Sequence, residues 1–503
     1  ETPFIEPLEG LFNFTHKADP FVDFKQNLLL PHQISRQGPF MAKADVNADK
    51  REDIIITGNS QQGTTLYLQQ ADGRFTAASS QPWQPCGPIA DGGLAFLDGD
   101  SDGDMDLYIS KMGMQLPEGN EAYQNKLYLN DGKGNFSEAK EALPPMPINS
   151  TTVTVADYNK DGKPDLYVGG RVIPGRYPVV PTSYLLQNVS TSGNVRFEYA
   201  REQKSQMLRQ AGLVTSSVWD DVNNDGWPDL LVAGEFMPIR LFINNKGQLD
   251  EAPESGFKDS DGWWCSLHMA DVNSDGKIDL ISGNIGLNTP LQVSPEKPAT
   301  LWYNDFDGNG SIDPILVHTI GNQTAPALTL DDLAEQVPVI KKQFLGYHDY
   351  AAANWDDFFT KEKREQALKH ELKTLRTCWW KNDGKGNFKR QELPDEVQFA
   401  PVTAIDASGL AEVWGNGAGE TMMVLVGNYY PWRIQWGQMD ASFGWILHTD
   451  GKGNFTTFKP NESGLWAGGD VRSMVRIQRD GMPAWIMGRH NGSVLGYRLW
   501  RGY

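Results

Sequence analysis

Five nine-residue phrases bring oxygen-bearing side chains together at one fixed spacing. They carry Asp98, Asp100, Asp102 and Asp106; Asp157, Asn159, Asp161 and Asp165; Asp221, Asn223, Asp225 and Asp229; Asp271, Asn273, Asp275 and Asp279; and Asp305, Asp307, Asn309 and Asp313. Position six is glycine in all five. A hard cation such as calcium takes several oxygen ligands from a short loop with a sharp turn, and this spacing supplies both. Positions one, three and five alternate inward, glycine turns the chain, and the ninth residue closes the shell. A lone Asp-Gly turn is common on surfaces; five copies, each followed by an apolar run, indicate calcium loops. A sixth phrase holds Asp45, Asn47, Asp49 and Asp53, with Lys50 at the glycine position. Lysine there either takes a left-handed turn or abandons the geometry, so the expected calcium count is five, or six.

The loops need elements to hold them. An apolar strand leads into each phrase, as in Thr151–Ala156, and a second leaves it, as in Asp165–Gly169. A third ends in an Asp-Gly-Lys-Gly-Asn-Phe hairpin, at Asp131–Phe136, Asp383–Phe388 and Asp450–Phe455. Asp-Gly and Lys-Gly between apolar residues are hairpin chemistry. Short antiparallel strands repeated radially make a propeller, which leaves few open sheet edges. Units starting near Asp45, Asp98, Asp157, Asp221, Asp271, Asp406 and Asp480 predict an all-β, seven-bladed propeller of four-stranded blades. The last two starts, including Ser408, have lost most ligand positions. The Asp305 loop is expected in the third-to-fourth-strand hairpin of the fifth unit. The segment before Asp45 is expected to pair with the C-terminal unit and close the ring. The whole chain, 1–503, reads as one propeller domain. Within it, 328–377 reads as a helical insertion in blade five, with helix formers at Leu330–Gln336 and Lys361–Lys373.

The net charge of −19 resides largely in these loops, and no basic stripe of the kind that phosphate backbones need is present. This reading excludes nucleic acid. Cys86, Cys265 and Cys378 lie far apart without ligand spacing, so they form neither a disulfide framework nor a zinc site. Calcium loops suit compartments rich in calcium, and the chain opens at Glu1 without an apolar targeting segment. The expectation is a mature extracytoplasmic protein, at the outer membrane or cell surface, compatible with a lipid anchor upstream of Glu1.

Catalytic patterns are weak. Gly99-Asp-Ser101-Asp-Gly103 fits a nucleophile motif but lies inside a calcium loop whose carboxylates oppose an alkoxide. His370-Glu371 lacks the second histidine of a zincin, and His268 reads as core or ring-lining. Aromatic residues are dense in the C-terminal part, among them Trp414, Trp466 and Trp500. The stretch Tyr429, Tyr430, Trp432 and Arg433, interrupted by Pro431, is the best exposed candidate for stacking on a ligand, with Trp263 and Trp264 second.

The recurring Ala-Asp-Val-Asn-x-Asp-Gly-x-x-Asp-Leu phrase resembles the FG-GAP or VCBS repeat of integrin-α-like seven-bladed propellers. Phe24–Pro31, Gly38–Phe40, Asn304–Gly310, Gln336–Phe344, Gly427–Tyr430 and Met439–Gly444 resemble a narrower bacterial envelope group related to the repeats of ASPIC/UnbV proteins. That resemblance implies export to the envelope, and company with TonB-dependent transporters and SusD-like lipoproteins in glycan uptake. The expected function is a non-enzymatic, calcium-stabilised binding or scaffold protein with a protein partner and, in some settings, a glycan. The alternatives are a carbohydrate-active enzyme (polysaccharide lyase or hydrolase) and an adhesin-like protein-binding module.

Overall fold

The computed structural model describes residues 3–84, 87–191, 193–407, 421–479 and 481–500. Ser408, Trp414, Asp480 and Cys86 lie outside the described residues. The fold is a β-propeller. Blades one to four run through the strands Met41–Ala77, Ala90–Glu138, Asn149–Tyr199 and Leu213–Glu251, each a meander of four antiparallel strands. Blade six runs from Ala404 to Phe458. Blade seven takes three strands from Val471 to Leu499 and borrows its fourth, Ile5–Pro7, from the start of the chain. Ile5 faces Leu499 and Pro7 faces Tyr497, which closes the ring as the sequence led us to expect. Blades two and three touch at Lys111 and Asn149, and blades four and five at Glu235 and Trp263.

The second strand of each blade is the most buried, because neighbouring blades cover both its faces. Asp165–Val172 and Asp229–Met237 are buried along their whole length, which is why they read as continuous apolar runs. The core fills the wedges between blades. Leu231, Ala233 and Leu241 of blade four, for example, pack against Trp264, Leu280 and Trp380 of blade five.

Blade five differs from the sequence reading. Its strands are Gly262–Ala270, Asp279–Asn284, Cys378–Asn382 and Phe388–Glu392. Between the second and third lies a separate four-stranded sheet, built from Ala299–Asn304, Asp313–Ile320, Gln323–Pro326 and Leu368–Leu372. The Asp305 loop therefore turns the first hairpin of this inserted sheet, not the last hairpin of the blade. Helices at Leu330–Gln336, Val339–Gln343, Tyr347–Ala352 and Lys361–Gln366 follow its third strand. Helix formers continue to Lys373, but the helix stops at Gln366. Leu368–Leu372 instead pairs with Ala299–Tyr303, and that pairing overrides the local preference.

Residues 19–37 have no blade of their own. They lie across the face opposite the calcium-type loops, where Leu30 and Ile34 pack on Val172, Phe236, Trp263, Ile285, Tyr429 and Trp432. Asp23, fully buried, holds this segment by accepting from the backbone N–H and the hydroxyl of Ser35.

Candidate functional site

All six loops share one conformation. Position four is left-handed at Ala48, Ser101, Lys160, Asn224, Ser274 and Gly308. Position six is left-handed at the five glycines and also at Lys50, whose φ is 68°. Lys50 thus keeps the turn, at a cost of about 1–2 kcal/mol for a residue with a Cβ. In every loop the first carboxylate caps the turn. Asp157, for example, accepts from the N–H groups of Asp161 and Gly162.

The ninth residue does something the sequence did not reveal. Asp53, Asp106, Asp165, Asp229, Asp279 and Asp313 are buried, and the second strand hangs from them. In blade four, Asp229 accepts from Val222 N–H in its own loop at 3.1 Å and from Asn244 N–H in the third strand at 2.7 Å. Burial and the neighbouring loop acids push Asp106, Asp165 and Asp229 up to about 7, and Asp53, Asp279 and Asp313 up to about 6. Crowded acids of this kind favour a bound cation.

Two clusters fit a cation best. Oxygens of Asp98, Asp100 and Asp102 lie within 4.8 Å of one another, and so do oxygens of Asp305, Asp307 and Asp313. Buried oxygens of Asp100 and of Asp104, an acid that the nine-residue phrase passes over, have no hydrogen-bond donor. The donor set is all oxygen, as calcium requires. The other four loops carry Asn at position three, and two of them also carry a basic countercharge. In the Asp45 loop the Arg51 guanidinium bonds to Asp49, so an arginine neutralises what a cation would. In the Asp271 loop Lys381 lies 3.3 Å from Asp275.

The sequence reading also missed a relay between blades. The fifth residue of the third strand is asparagine in blades two to five: Asn130, Asn188, Asn244 and Asn382. Each backbone N–H donates to the ninth Asp of its own loop. Each side-chain amide donates to the carbonyl at loop position two of the preceding blade: Val46, Gly99, Tyr158 and Val222. Loop and blade contact are thus one hydrogen-bonded chain. The repeated Asn just before the Asp-Gly hairpins was the available clue.

The aromatic candidates converge, but not at the surface. Trp263, Trp264, Tyr429, Trp432 and Arg433 are all buried, and Tyr430 is half-exposed. The exposure expected of them fails because residues 28–33 pack over Trp263, Tyr429, Trp432 and Arg433, while Trp264 fills the wedge between blades four and five. Arg433 bonds to the carbonyls of Leu28 and Leu30, and Gln33 N–H donates to Pro431. Next to these side chains is a partly open pocket of about 70 Å³ lined by Glu235, Trp263, Tyr429, Trp432 and Arg472, among others.

Glu235, 2% exposed, anchors a polar chain there. It bonds to Arg171, lies 2.7 Å from His32 Nε2, and accepts from the Tyr177 hydroxyl at 3.3 Å. His32 Nδ1 meets the Tyr429 hydroxyl at 2.6 Å, and the Arg472 guanidinium lies 4.0 Å from the centre of the Tyr429 ring. Although burial opposes its charge, the Arg171 guanidinium holds the Glu235 carboxyl down to about 2. Arg472 is itself paired with Asp470 at 2.6 Å. His268 accepts from Ala407 N–H at 3.1 Å, and Asp406 accepts from the Trp485 indole at 2.7 Å, so both serve structural contacts. His370 lies on the inserted sheet's Leu368–Leu372 strand rather than on a helix, stacked on Tyr303.

A family model described as FG-GAP-like repeat matches residues 45–109, 118–168 and 221–282, so the chain carries FG-GAP-like repeats in a β-propeller. No curated protein matches the chain. Among solved structures, Sqt1 of Saccharomyces cerevisiae is 10% identical, with 97% of this chain and 100% of that chain covered and a TM-score of 0.43. The V. cholerae biofilm matrix protein Bap1 is 10% identical over 99% and 92%, with a TM-score of 0.33. An Agrocybe aegerita lectin that recognises non-reducing terminal N-acetylglucosamine is 14% identical over 72% and 82%, with a TM-score of 0.34. Likenesses this distant carry no argument about function.

Proposed function

We propose that this chain is a non-enzymatic binding or scaffold protein of the bacterial cell envelope, with its blade loops rigidified by calcium. In this reading it sits at the outer membrane or cell surface as an accessory to a TonB-dependent uptake system with a SusD-like lipoprotein. The observation that carries the calcium part is the convergence of Asp98, Asp100 and Asp102, and of Asp305, Asp307 and Asp313, with no Lys or Arg ion pair to any of the six among the described residues. Support for binding over catalysis comes from the acid–histidine–tyrosine chain, whose Glu235, His32 and Tyr429 are all buried and bonded to one another. The calcium part is tested by melting the protein in calcium and in EGTA. A large loss of melting temperature in EGTA is expected, and an unchanged melt with no calcium by elemental analysis refutes it. The partner part is tested by isolating the protein from its own membrane in mild detergent with calcium. A co-purifying transporter supports it, and a protein that emerges alone refutes it.

A second reading, a carbohydrate-active enzyme, draws on one observation: Tyr429, His32 and Glu235 form a relay with Arg472 against the tyrosine ring. Product formation on a polysaccharide panel, lost in Tyr429→Phe with the melt unchanged, decides for it.

A further inference from the structure

On the face that carries residues 19–37, the loops of blades six and seven display two aromatic rings to solvent. Phe443 is 48% exposed and Trp466 is 54% exposed, and their ring centres are 5.6 Å apart at 65°. The display is built into the backbone. Trp466 lies between Leu465 and Ala467, both 0% exposed, so the backbone is pinned on either side of the outward indole. Ala467 N–H donates to the Phe443 carbonyl at 2.7 Å, which ties the two loops together. Before Phe443, Ser442 is buried and exchanges hydrogen bonds with the Asn428 side chain. Gly468 leaves the Phe443 ring its place, since a Cβ there would lie 3.1 Å from it.

Polar groups border the rings. The Arg489 guanidinium donates to the Gly468 carbonyl at 3.3 Å and to Ser493. Flat rings held rigidly at an angle, with a guanidinium and the Ser493 hydroxyl beside the backbone that carries them, match a sugar. Its C–H face stacks on an aromatic ring while its hydroxyls meet charged and polar groups. A hydrophobic protein partner fits less well. The most exposed aliphatic side chains, Leu345 at 90% and Ile434 at 92%, lie between two inserted helices and on the part of the blade-six loop that bonds to the inserted helix at Asp332.

We infer that Phe443 and Trp466, bordered by Arg489, form a saccharide-binding site on the loops of blades six and seven. The ligand class is a neutral oligosaccharide. This rests on the binding reading above and gives it a ligand; it uses neither the calcium loops nor the pocket beside Glu235.

The test is titration calorimetry, with tryptophan fluorescence in parallel, on the full chain in calcium. The probes are cellohexaose, xylohexaose, mannohexaose, laminarihexaose and maltohexaose. At least one is expected to bind. Trp466→Ala and Phe443→Ala should each weaken that binding tenfold or more with an unchanged melt. Trp466→Phe should keep part of it, and Leu345→Ala should leave it intact. No response to any of the five sugars overturns the inference, as does binding that ignores both ring substitutions. Self-association in sedimentation that Trp466→Ala abolishes, with no saccharide response, also overturns it by marking a protein interface. A chain that travels with a transporter yet binds no sugar refutes this site alone; sugar binding by a chain that travels alone refutes the transporter reading alone.

Discussion

Replacing Asn244 by alanine should loosen the ring without touching a loop carboxylate. The residue is fully buried, and its amide donates to Tyr158 of blade three at 2.8 Å and to Pro228 at 2.9 Å. Its carbonyl accepts from Gly247 N–H at 2.8 Å. Alanine leaves two carbonyls and one N–H short of a partner. At about 1–3 kcal/mol for each buried group left unsatisfied, the loss is about 3–5 kcal/mol, toward the lower end because a carbonyl keeps its other lone pair. Unfolding entropy near 2 cal/mol/K per residue amounts to about 1 kcal/mol/K for a chain of this size. A cooperative melt, followed by calorimetry, should therefore move down by about 3–5 °C. The shift should be the same in calcium and in EGTA, because the relay holds backbone rather than metal. Asn387→Ala is the control, since that amide caps the exposed Asp383 turn within its own hairpin. If Asn244→Ala moves the melt no further than Asn387→Ala, the relay does not join the blades.

Other outcomes follow from the same geometry. In chelator, stability should fall as pH rises from about 4 to 7, because Asp106, Asp165 and Asp229 have folded-state values of about 7, above those of the unfolded chain; calcium should flatten this decline, read as melting temperature against pH. Glu235→Ala should lower stability by about 3–5 kcal/mol in denaturant melts, since it strands the buried Arg171 charge. Lys50→Gly should raise stability by about 1 kcal/mol by relieving the left-handed lysine. Adding Arg51→Ala to it should give the Asp45 loop one extra calcium equivalent in titration calorimetry, because the guanidinium no longer occupies Asp49.

What could be read from residues alone was whatever repeats locally. Loop carboxylates, position-six glycines and Asp-Gly hairpins lie within a few residues of one another, so their geometry is written into short phrases. The inserted sheet escaped because Ala299–Asn304 and Leu368–Leu372 look like any strand or helix until their pairing across the intervening helices is seen. The same limit hid the fate of Tyr429, Trp432 and Arg433. Pro431 does interrupt the strand, but the segment that covers these side chains, Leu28–Gln33, lies some 400 residues earlier in the chain. Glu235 was invisible as an anchor because nothing near it in sequence announces Arg171 or His32. Conversely, Trp466 was one aromatic in a crowded list, and its outward position depends on the burial of Leu465 and Ala467 on either side.

The pairing of Ile5–Pro7 with Tyr497–Leu499 also sets an order of events during synthesis. Ile5–Pro7 must wait for Leu495–Leu499, so until those residues emerge blade seven lacks two of its four strands and the early segment has nowhere to dock. In that interval Met482–Arg489, the strand that Leu495–Leu499 will cover, presents a bare sheet edge, the kind of surface that recruits a strand from another chain. Chains cut short just before residue 495 would keep most blades yet lose the clasp, and such fragments should be the ones that aggregate or are cleared.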